Sequence, residues 1–184
     1  MLPDRFQRII LLFLCIVPVL VGCLADSDSD ESPPPKGYDH YQNEGISLHH
    51  PSNWVIDFDT SPGLYSAREI RFEVDDFSGF GLLVFEEEGD ASVETVMDRF
   101  VAELGLSRDP LIADFTRKAV EMSGFEGEKI TWSDSFVEKS DFEMTVLKVK
   151  EGKEDAFAFF ILNDAAIQAN GKHKIDVVKS ITFD

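Results

Sequence analysis

The chain after residue 44 begins with short stretches in which apolar and polar residues alternate. Alternation places every second side chain on the same face of a strand, so residues 45–50, 54–59 and 69–74 are predicted to be strands. In the second of these strands the apolar face consists of Trp54, Ile56 and Phe58. In the third strand the polar face consists of Glu69, Arg71 and Glu73. A polar face of this kind indicates a strand near the edge of its sheet.

Two later stretches are apolar on both faces. In residues 80–85, and again in residues 156–162, apolar side chains occupy odd and even positions alike. Two apolar faces are typical of a strand inside a sheet that is covered on both sides. Both stretches are therefore predicted to be interior strands.

A helical period follows the first interior strand. It is formed by Val93, Val96, Met97, Phe100, Val101 and Leu104. This spacing predicts one amphipathic helix that packs its apolar stripe on the sheet. We expect Asp90 or Ser92 to cap the helix and Gly105 to end it.

The second half of the chain predicts an antiparallel meander. Its strands are residues 111–122, residues 128–133 with Ile130 and Trp132 inward, and residues 142–150. The shift of apolar parity within the last of these indicates a bulge or a second covered face. The remaining elements are a connection at 163–171, a short helix at 172–179 and a closing strand at 181–183.

Two strands that are buried on both faces require two covering layers, and one long helix cannot supply both. The predicted fold class is therefore α+β. We expect a three-layer α/β/α sandwich around a mainly antiparallel sheet of about six or seven strands. The helix at residues 93–104 would cover one face, and the C-terminal helix the other.

The first 22 residues have the features of a secretory signal peptide. Arg5 and Arg8 precede an apolar run of 13 residues, Ile9 to Val21, which Pro18 interrupts. As a helix this run would be roughly 20 Å long, short of the roughly 30 Å hydrocarbon core of a bilayer. It therefore fits a cleaved signal segment better than the alternative, an uncleaved N-terminal anchor.

The run closes with Leu20-Val21-Gly22-Cys23, which resembles the lipobox of bacterial lipoproteins. The resemblance implies that residues 1–22 are removed and that Cys23 begins the mature chain with a diacylglycerol-type lipid attached. Two acyl chains of this kind are what stable anchoring requires. We expect an exported protein on the extracytoplasmic side of the cell membrane or the outer membrane.

Residues 23–43 are predicted to be a tether between this lipid and a domain at residues 44–184. The segment is acidic, rich in serine, and contains Pro33-Pro34-Pro35, so it lacks the apolar surface for a core. Its acidic residues alternate as in calcium-binding loops, at Asp26, Asp28, Asp30 and Glu31. The glycine and the distal bidentate acid of such loops are missing, so we interpret the segment as a solvated spacer.

The mature chain is strongly acidic. Once Asp4, Arg5 and Arg8 are removed with the signal peptide, 34 of the 35 acidic and 15 of the 17 basic side chains remain, a net charge of about −19. Such a surface repels nucleic-acid phosphates and anionic lipid head groups, so neither is an expected ligand. The charge is compatible with a cationic partner or a divalent cation, although solubility is its simplest explanation.

No residue pattern in the chain indicates catalysis. Cys15 and Cys23 are the two cysteines, so the domain has no thiol for a disulfide, a thiolate metal site or a nucleophile. Motifs of serine hydrolases, zinc proteases and phosphate-binding loops are missing. His49 and His50 are neighbours on a strand and point to opposite faces, while His40 lies by the tether and His173 on a helix that we expect to be exposed. We therefore predict that the protein is not an enzyme.

Acidic residues at two strand ends are the weak candidates for a metal site. These residues are Asp75, Asp76, Glu86, Glu87 and Glu88. If their loops meet, the carboxylates could bind calcium or manganese, which prefer oxygen ligands. Solvated acids at strand ends are far commoner, so neither a metal site nor a cofactor is assigned beyond the lipid on Cys23.

Three short motifs resemble the PsbP-like (Mog1/PsbP) superfamily. They are Gly45-Ile46-Ser47-Leu48 leading into Pro51-Ser52-Asn53-Trp54, then Gly124-Phe125-Glu126-Gly127, and finally Lys179-Ser180-Ile181-Thr182-Phe183. The resemblance implies an α/β/α sandwich without a shared active site. Members include an extrinsic photosystem subunit, a GTPase-binding protein and many bacterial lipoproteins, so the fold by itself does not select a function.

Two functions remain as hypotheses. The first is a membrane-anchored, non-catalytic module that binds or assembles a protein partner in the cell envelope. The alternative is a lipoprotein that binds a small ligand or a divalent cation in a pocket between helix and sheet. Both hypotheses place the protein at the membrane through its N-terminal lipid.

Overall fold

The structure is a computed structural model that describes residues 34–63, 67–75, 77–85, 91–106, 112–134 and 140–184. Within these residues the chain forms, in order, β1 (Tyr38–Asn43), β2 (Ile46–Pro51), β3 (Val55–Thr60), β4 (Arg68–Asp75), β5 (Ser78–Phe85), α1 (Val93–Glu103), β6 (Ile112–Met122), β7 (Phe125–Asp134), β8 (Ser140–Lys150), β9 (Asp155–Asn163), α2 (Asp164–Asn170), α3 (His173–Ser180) and β10 (Thr182–Phe183). No helix in the described part of the chain is long and apolar enough to cross a membrane.

The main sheet has seven antiparallel strands in the order β3-β4-β5-β9-β8-β7-β6 in the described part of the chain. This order confirms the predicted antiparallel sheet and places β5 and β9 side by side in its interior. Phe159 and Phe160 of β9 are both buried although they point to opposite faces. The prediction of two interior strands is therefore confirmed.

One face of the main sheet is covered by α1. Its buried residues Val96, Met97 and Phe100 pack on the central strands, and the rings of Phe100 and Phe159 lie 4.9 Å apart between centroids. Ser92 is the N-cap, and its side chain accepts a hydrogen bond from the Thr95 backbone nitrogen at 3.1 Å. The predicted helix is confirmed, and of the two proposed caps Asp90 lies outside the described residues.

The other face is covered by a mixed layer. A three-stranded sheet of order β1-β2-β10 lies there, with Leu48 and Tyr41 in the core together with Val177 and Val178 of α3. The short C-terminal helix is confirmed, and the predicted connection at 163–171 contains α2. The α/β/α sandwich is not confirmed, because these two short helices cover one part of the face and a second sheet covers another.

The predicted boundary between the tether and the domain, after residue 43, lies too late in the chain. Residues 38–43 form β1, which pairs with β2 from Tyr38↔Pro51 to Asn43↔Ile46. Tyr41 is buried, and its hydroxyl donates to Asp59 at 2.5 Å. The sequence did not predict this strand because its residues are mostly polar. Pairing with β2 holds β1 in place although few of its side chains point into the core.

Most of the polar face of β4 is buried. Glu69 and Arg71 are 3% and 7% exposed and form an ion pair at 2.5 Å, whereas Glu73 is exposed. The guanidinium of Arg71 lies over the ring of Phe58, 4.9 Å from its centroid. The prediction of a solvated face is therefore wrong for Glu69 and Arg71, and β4 lies next to the edge strand, as predicted. A charge can be buried here because a countercharge and an aromatic face replace water.

The predicted apolar face of β3 is only partly inward. Trp54 is buried and its indole nitrogen donates to Asn170 Oδ1 at 3.3 Å. Ile56 lies opposite the buried Phe72 but is 47% exposed, because β3 is an edge strand. The register shifts between Ile56 and Phe58, so Phe58 lies opposite Arg71 and the alternation that the sequence shows does not continue in space.

Candidate functional site

A groove of about 700 Å³ lies beside the edge strand β6. Strands β6, β7 and β8 form its floor, and the first turn of α1 forms one wall. Five glutamates and one lysine line it: Glu94, Glu121, Glu126, Glu128, Glu151 and Lys148. We call this surface the acidic groove. Its excess of carboxylates creates a local negative potential that favours a cationic ligand.

Two of these carboxylates are held directly opposite each other. Glu121 of β6 pairs with Glu126 of β7 in the strand register. The two-residue turn Ser123-Gly124 produces this register, and both turn residues have positive φ, 56° and 89°, as the tight hairpin requires. Like charges directly opposite in an antiparallel pair are destabilising. A bound cation at this position would remove that repulsion.

Other charges of the groove are already paired. Glu128 accepts from both Nε (2.9 Å) and an NH2 nitrogen (2.5 Å) of Arg117, which also contacts Asp98 on α1. Lys148 contacts Glu151 and Asp155, each at 3.3 Å. Burial lowers the pKa of Lys148, but its hydrogen bonds to Glu151 and Asp155 outweigh burial and raise it. The groove therefore has a rigid, ion-paired frame around Glu121 and Glu126.

Carboxylates dominate the lining of the groove. The one hydroxyl among the lining residues belongs to Ser92, which is engaged in capping α1. The arrangement can attract and hold positive charge.

The predicted metal candidates are not brought together in the described residues. Asp75 accepts hydrogen bonds from the Phe77 backbone and from Asn163, at 3.2 and 3.3 Å. Asp76 and Glu86, Glu87 and Glu88 lie outside the described residues, as does Cys23. No group of three metal-ligating side chains occurs in the described ranges. Calcium or manganese binding stays a prediction.

The histidines are structural in the described part of the chain. His50 is buried against Phe72, with 4.7 Å between ring centroids, and burial lowers its pKa. The rings of His40 and His49 pack edge to face at 5.2 Å. His173, which we expected to be exposed, is half-buried and hydrogen-bonded to the Tyr38 hydroxyl at 2.6 Å.

Sequence reasoning missed a buried ion cluster on the opposite face of the sheet. Glu143 of β8 contacts Lys129 of β7 and Lys174 of α3, and Lys174 is only 5% exposed. Burial raises the pKa of Glu143, but the hydrogen bonds from Lys129 and Lys174 outweigh it, so the pKa lies below its usual value. No short-range pattern reveals this cluster, because Glu143 and Lys174 are 31 residues apart.

No protein-family model matches the sequence, and no curated protein matches it in sequence. Several solved structures are similar. The cyanobacterial PsbP (CyanoP) of Synechocystis sp. PCC 6803 matches with a TM-score of 0.52 at 11% identity, over 89% of this chain and 100% of that chain. The Ran-binding protein Mog1p of Saccharomyces cerevisiae matches with a TM-score of 0.44 at 7% identity, over 79% of this chain and 95% of that chain.

LpqN of Mycobacterium tuberculosis, a protein involved in cell envelope biogenesis, matches with a TM-score of 0.38 at 12% identity, over 83% of this chain and 82% of that chain. The similarity to CyanoP shows that the chain has a PsbP-like fold, and it confirms the predicted resemblance at that level. At so low an identity it transfers no function.

Proposed function

We propose that the protein is a non-catalytic, lipid-tethered module of the cell envelope that binds a protein partner through the acidic groove. The observation that carries the proposal is the opposition of Glu121 and Glu126 within a groove lined by five glutamates. Two like charges face each other there at a cost in stability, which a lysine or arginine of a partner would offset.

The form of the groove supports a partner segment rather than a single ion. It runs beside β6, which pairs with β7 on one side only and therefore lies at an edge of the main sheet. A segment in extended conformation can follow such an edge with its backbone and place basic side chains toward the carboxylates. The proposed partner is thus an envelope protein with an exposed basic segment.

The N-terminal motif supports a place at the membrane. A lipid on Cys23 would hold the acidic domain near a bilayer whose anionic head groups it otherwise repels. Such tethering raises the effective concentration of the module around membrane-bound partners, so a modest affinity at the groove suffices.

Site-specific photocrosslinking in the native membrane tests the proposal. A photoreactive amino acid replaces Ala119, an exposed residue that lines the groove, or Ala169, an exposed residue of α2 far from it in the sequence. We expect a crosslinked partner from position 119 only, with lysine or arginine in the captured segment. High salt should reduce the adduct, because the Debye length falls from about 8 Å at 0.15 M to about 3 Å at 1 M.

The double variant Glu121→Gln/Glu126→Gln should lose the adduct while folding at least as well as the parent, since it removes a repulsive pair. Its matched control is Glu73→Gln/Glu103→Gln, which removes two exposed carboxylates outside the groove. Equal crosslinking from position 169, or an adduct that survives in the groove variant, would show that the groove is not the binding site.

A further inference from the structure

Three apolar side chains are exposed at one corner of the main sheet. Val55 and Ile56 begin the edge strand β3 and are 62% and 47% exposed, and Phe77 is 54% exposed. Phe77 lies in the turn between β4 and β5, and Val55 pairs with Glu73 near the end of β4. The topology therefore brings all three residues to the same end of the sheet. We call them the apolar corner.

The N-terminal segment joins the domain at this same corner. The backbone nitrogen of Tyr38 bonds to the Pro35 oxygen, and the Ser52 nitrogen bonds to the Gly37 oxygen, both at 3.0 Å. Residues 35–37 are thereby fixed against the turn between β2 and β3. Two residues after Asn53 in that turn, the chain reaches Val55. The point where the tether leaves the domain is thus next to the exposed apolar residues.

We propose that the apolar corner rests on the surface of the lipid bilayer that holds the tether. The inference rests on the proposed lipid at Cys23. From Cys23 to Pro34 the chain spans at most about 40 Å, so the tethered domain always stays close to the bilayer. The part of the domain nearest the attachment point is the part most often presented to the lipid, and it is here that apolar side chains are exposed.

The charge of the domain indicates which lipid surface the corner contacts. Glu73, opposite Val55, is exposed, and the whole chain has a formal net charge of −18. An anionic bilayer repels such a domain, whereas a zwitterionic surface does not. Three apolar side chains are too few to bind a bilayer stably by themselves. Because the tether already holds the domain at the bilayer, weak insertion into the head-group region is sufficient to keep the corner in contact with it.

A fluorescent probe on the intact lipidated chain tests this contact. With Cys15 removed and Cys23 blocked by lipid, Ile56→Cys provides a unique thiol for an environment-sensitive dye. Lys153→Cys provides the matched control, because Lys153 is exposed in the turn between β8 and β9, at the opposite end of the main sheet. Both proteins are reconstituted in phosphatidylcholine vesicles with or without lipids that carry a quencher in the upper acyl chain. We expect quencher lipids to reduce the emission at position 56 and to leave position 153 unchanged. Val55→Ser/Phe77→Ser should abolish the difference.

The outcomes separate the tether from the contact. If the mass of the protein shows no lipid and the dye labels Cys23, the lipid tether is contradicted. The proposed membrane contact is then contradicted as well, because it depends on the tether. A lipidated protein whose position 56 is quenched no more than position 153 contradicts the contact alone. Quenching that follows protein density rather than quencher lipid would assign the corner to a second copy of the chain and overturn the membrane assignment.

Discussion

Glu143 shows what a single residue contributes to this fold. Its carboxylate lies between Lys129 and Lys174, and the ammonium of Lys174 is also 5.7 Å from the centroid of the Phe160 ring. Lys174 lies on α3 and Glu143 on the main sheet, so the contact joins two layers. Removing the carboxylate leaves Lys174 buried without a countercharge.

The variant Glu143→Gln should lower the free energy of unfolding at pH 7 by about 3 kcal/mol, the low end for a broken buried pair, because Lys129 keeps contact with water. Asp98→Asn, which alters an exposed pair with Arg117, should cost less than about 1 kcal/mol. Urea denaturation of both variants measures the difference.

The effect of Glu143→Gln should also depend on pH. The folded-state pKa of Glu143 lies below its unfolded value of about 4.3, so its carboxylate stabilises the fold above that pH. This stabilisation is lost as the pH falls through the folded-state pKa. The parent and the variant should therefore converge in strongly acidic solution, and a difference that stays constant down to pH 2 would contradict the assigned role.

At the scale of elements, β9 contributes side chains to the hydrophobic core on each face of the main sheet. Phe159 packs on Phe100 of α1, and Phe160 packs on Phe80 of β5, each with 4.9 Å between ring centroids. Both phenylalanines are almost fully buried. Because each face of the sheet has its own covering layer, neither phenylalanine can lose its ring without leaving a cavity.

Phe159→Ala and Phe160→Ala should each lower the free energy of unfolding by about 3–5 kcal/mol. Ile56→Ala, at an exposed position of an edge strand, should change it by less than about 1 kcal/mol. Urea midpoints of the three variants decide the matter. If either phenylalanine variant unfolds at the midpoint of the parent, the face that it occupies is not closed.

At the scale of the whole molecule, the proposed lipid on Cys23 would decide where the domain acts. An acidic domain with three exposed apolar residues at one corner has no strong means of its own to stay at a membrane. The lipid on Cys23 would supply that attachment, and the acidic groove would then be presented to partners in the same envelope.

Cys23→Ser should move the protein from the membrane fraction to the soluble fraction, whereas Cys15→Ser, within the signal peptide, should leave it membrane-bound. Fractionation followed by a high-salt wash and immunodetection measures both. A Cys23→Ser protein that remains in the washed membranes would contradict the lipoprotein assignment. High salt screens the charges of the groove, and three apolar side chains without the lipid are too few for stable binding to a bilayer.

Local periodicity by itself determined most of the elements and the two interior strands. Phenylalanines such as Phe159 and Phe160 favour burial whichever residues surround them. A run with apolar residues at both odd and even positions is therefore sufficient to identify a strand that is covered on both faces. The strand after residues 123 and 124 was predicted only from residue 128, whereas β7 begins at Phe125. The opposition of Glu121 and Glu126 therefore became visible only in the observed register.

Tertiary structure alone decided the remaining features. Glu69 and Arg71 follow the pattern of a solvated face, but each supplies the countercharge that allows the other to be buried. Ile56 follows the pattern of a core residue, but it lies on the edge strand β3, where it stays 47% exposed. Tyr41 belongs to a polar segment that becomes a strand only because β2 pairs with it. In each case the burial or exposure of the residue depends on which elements of the fold lie beside it, which local periodicity does not contain.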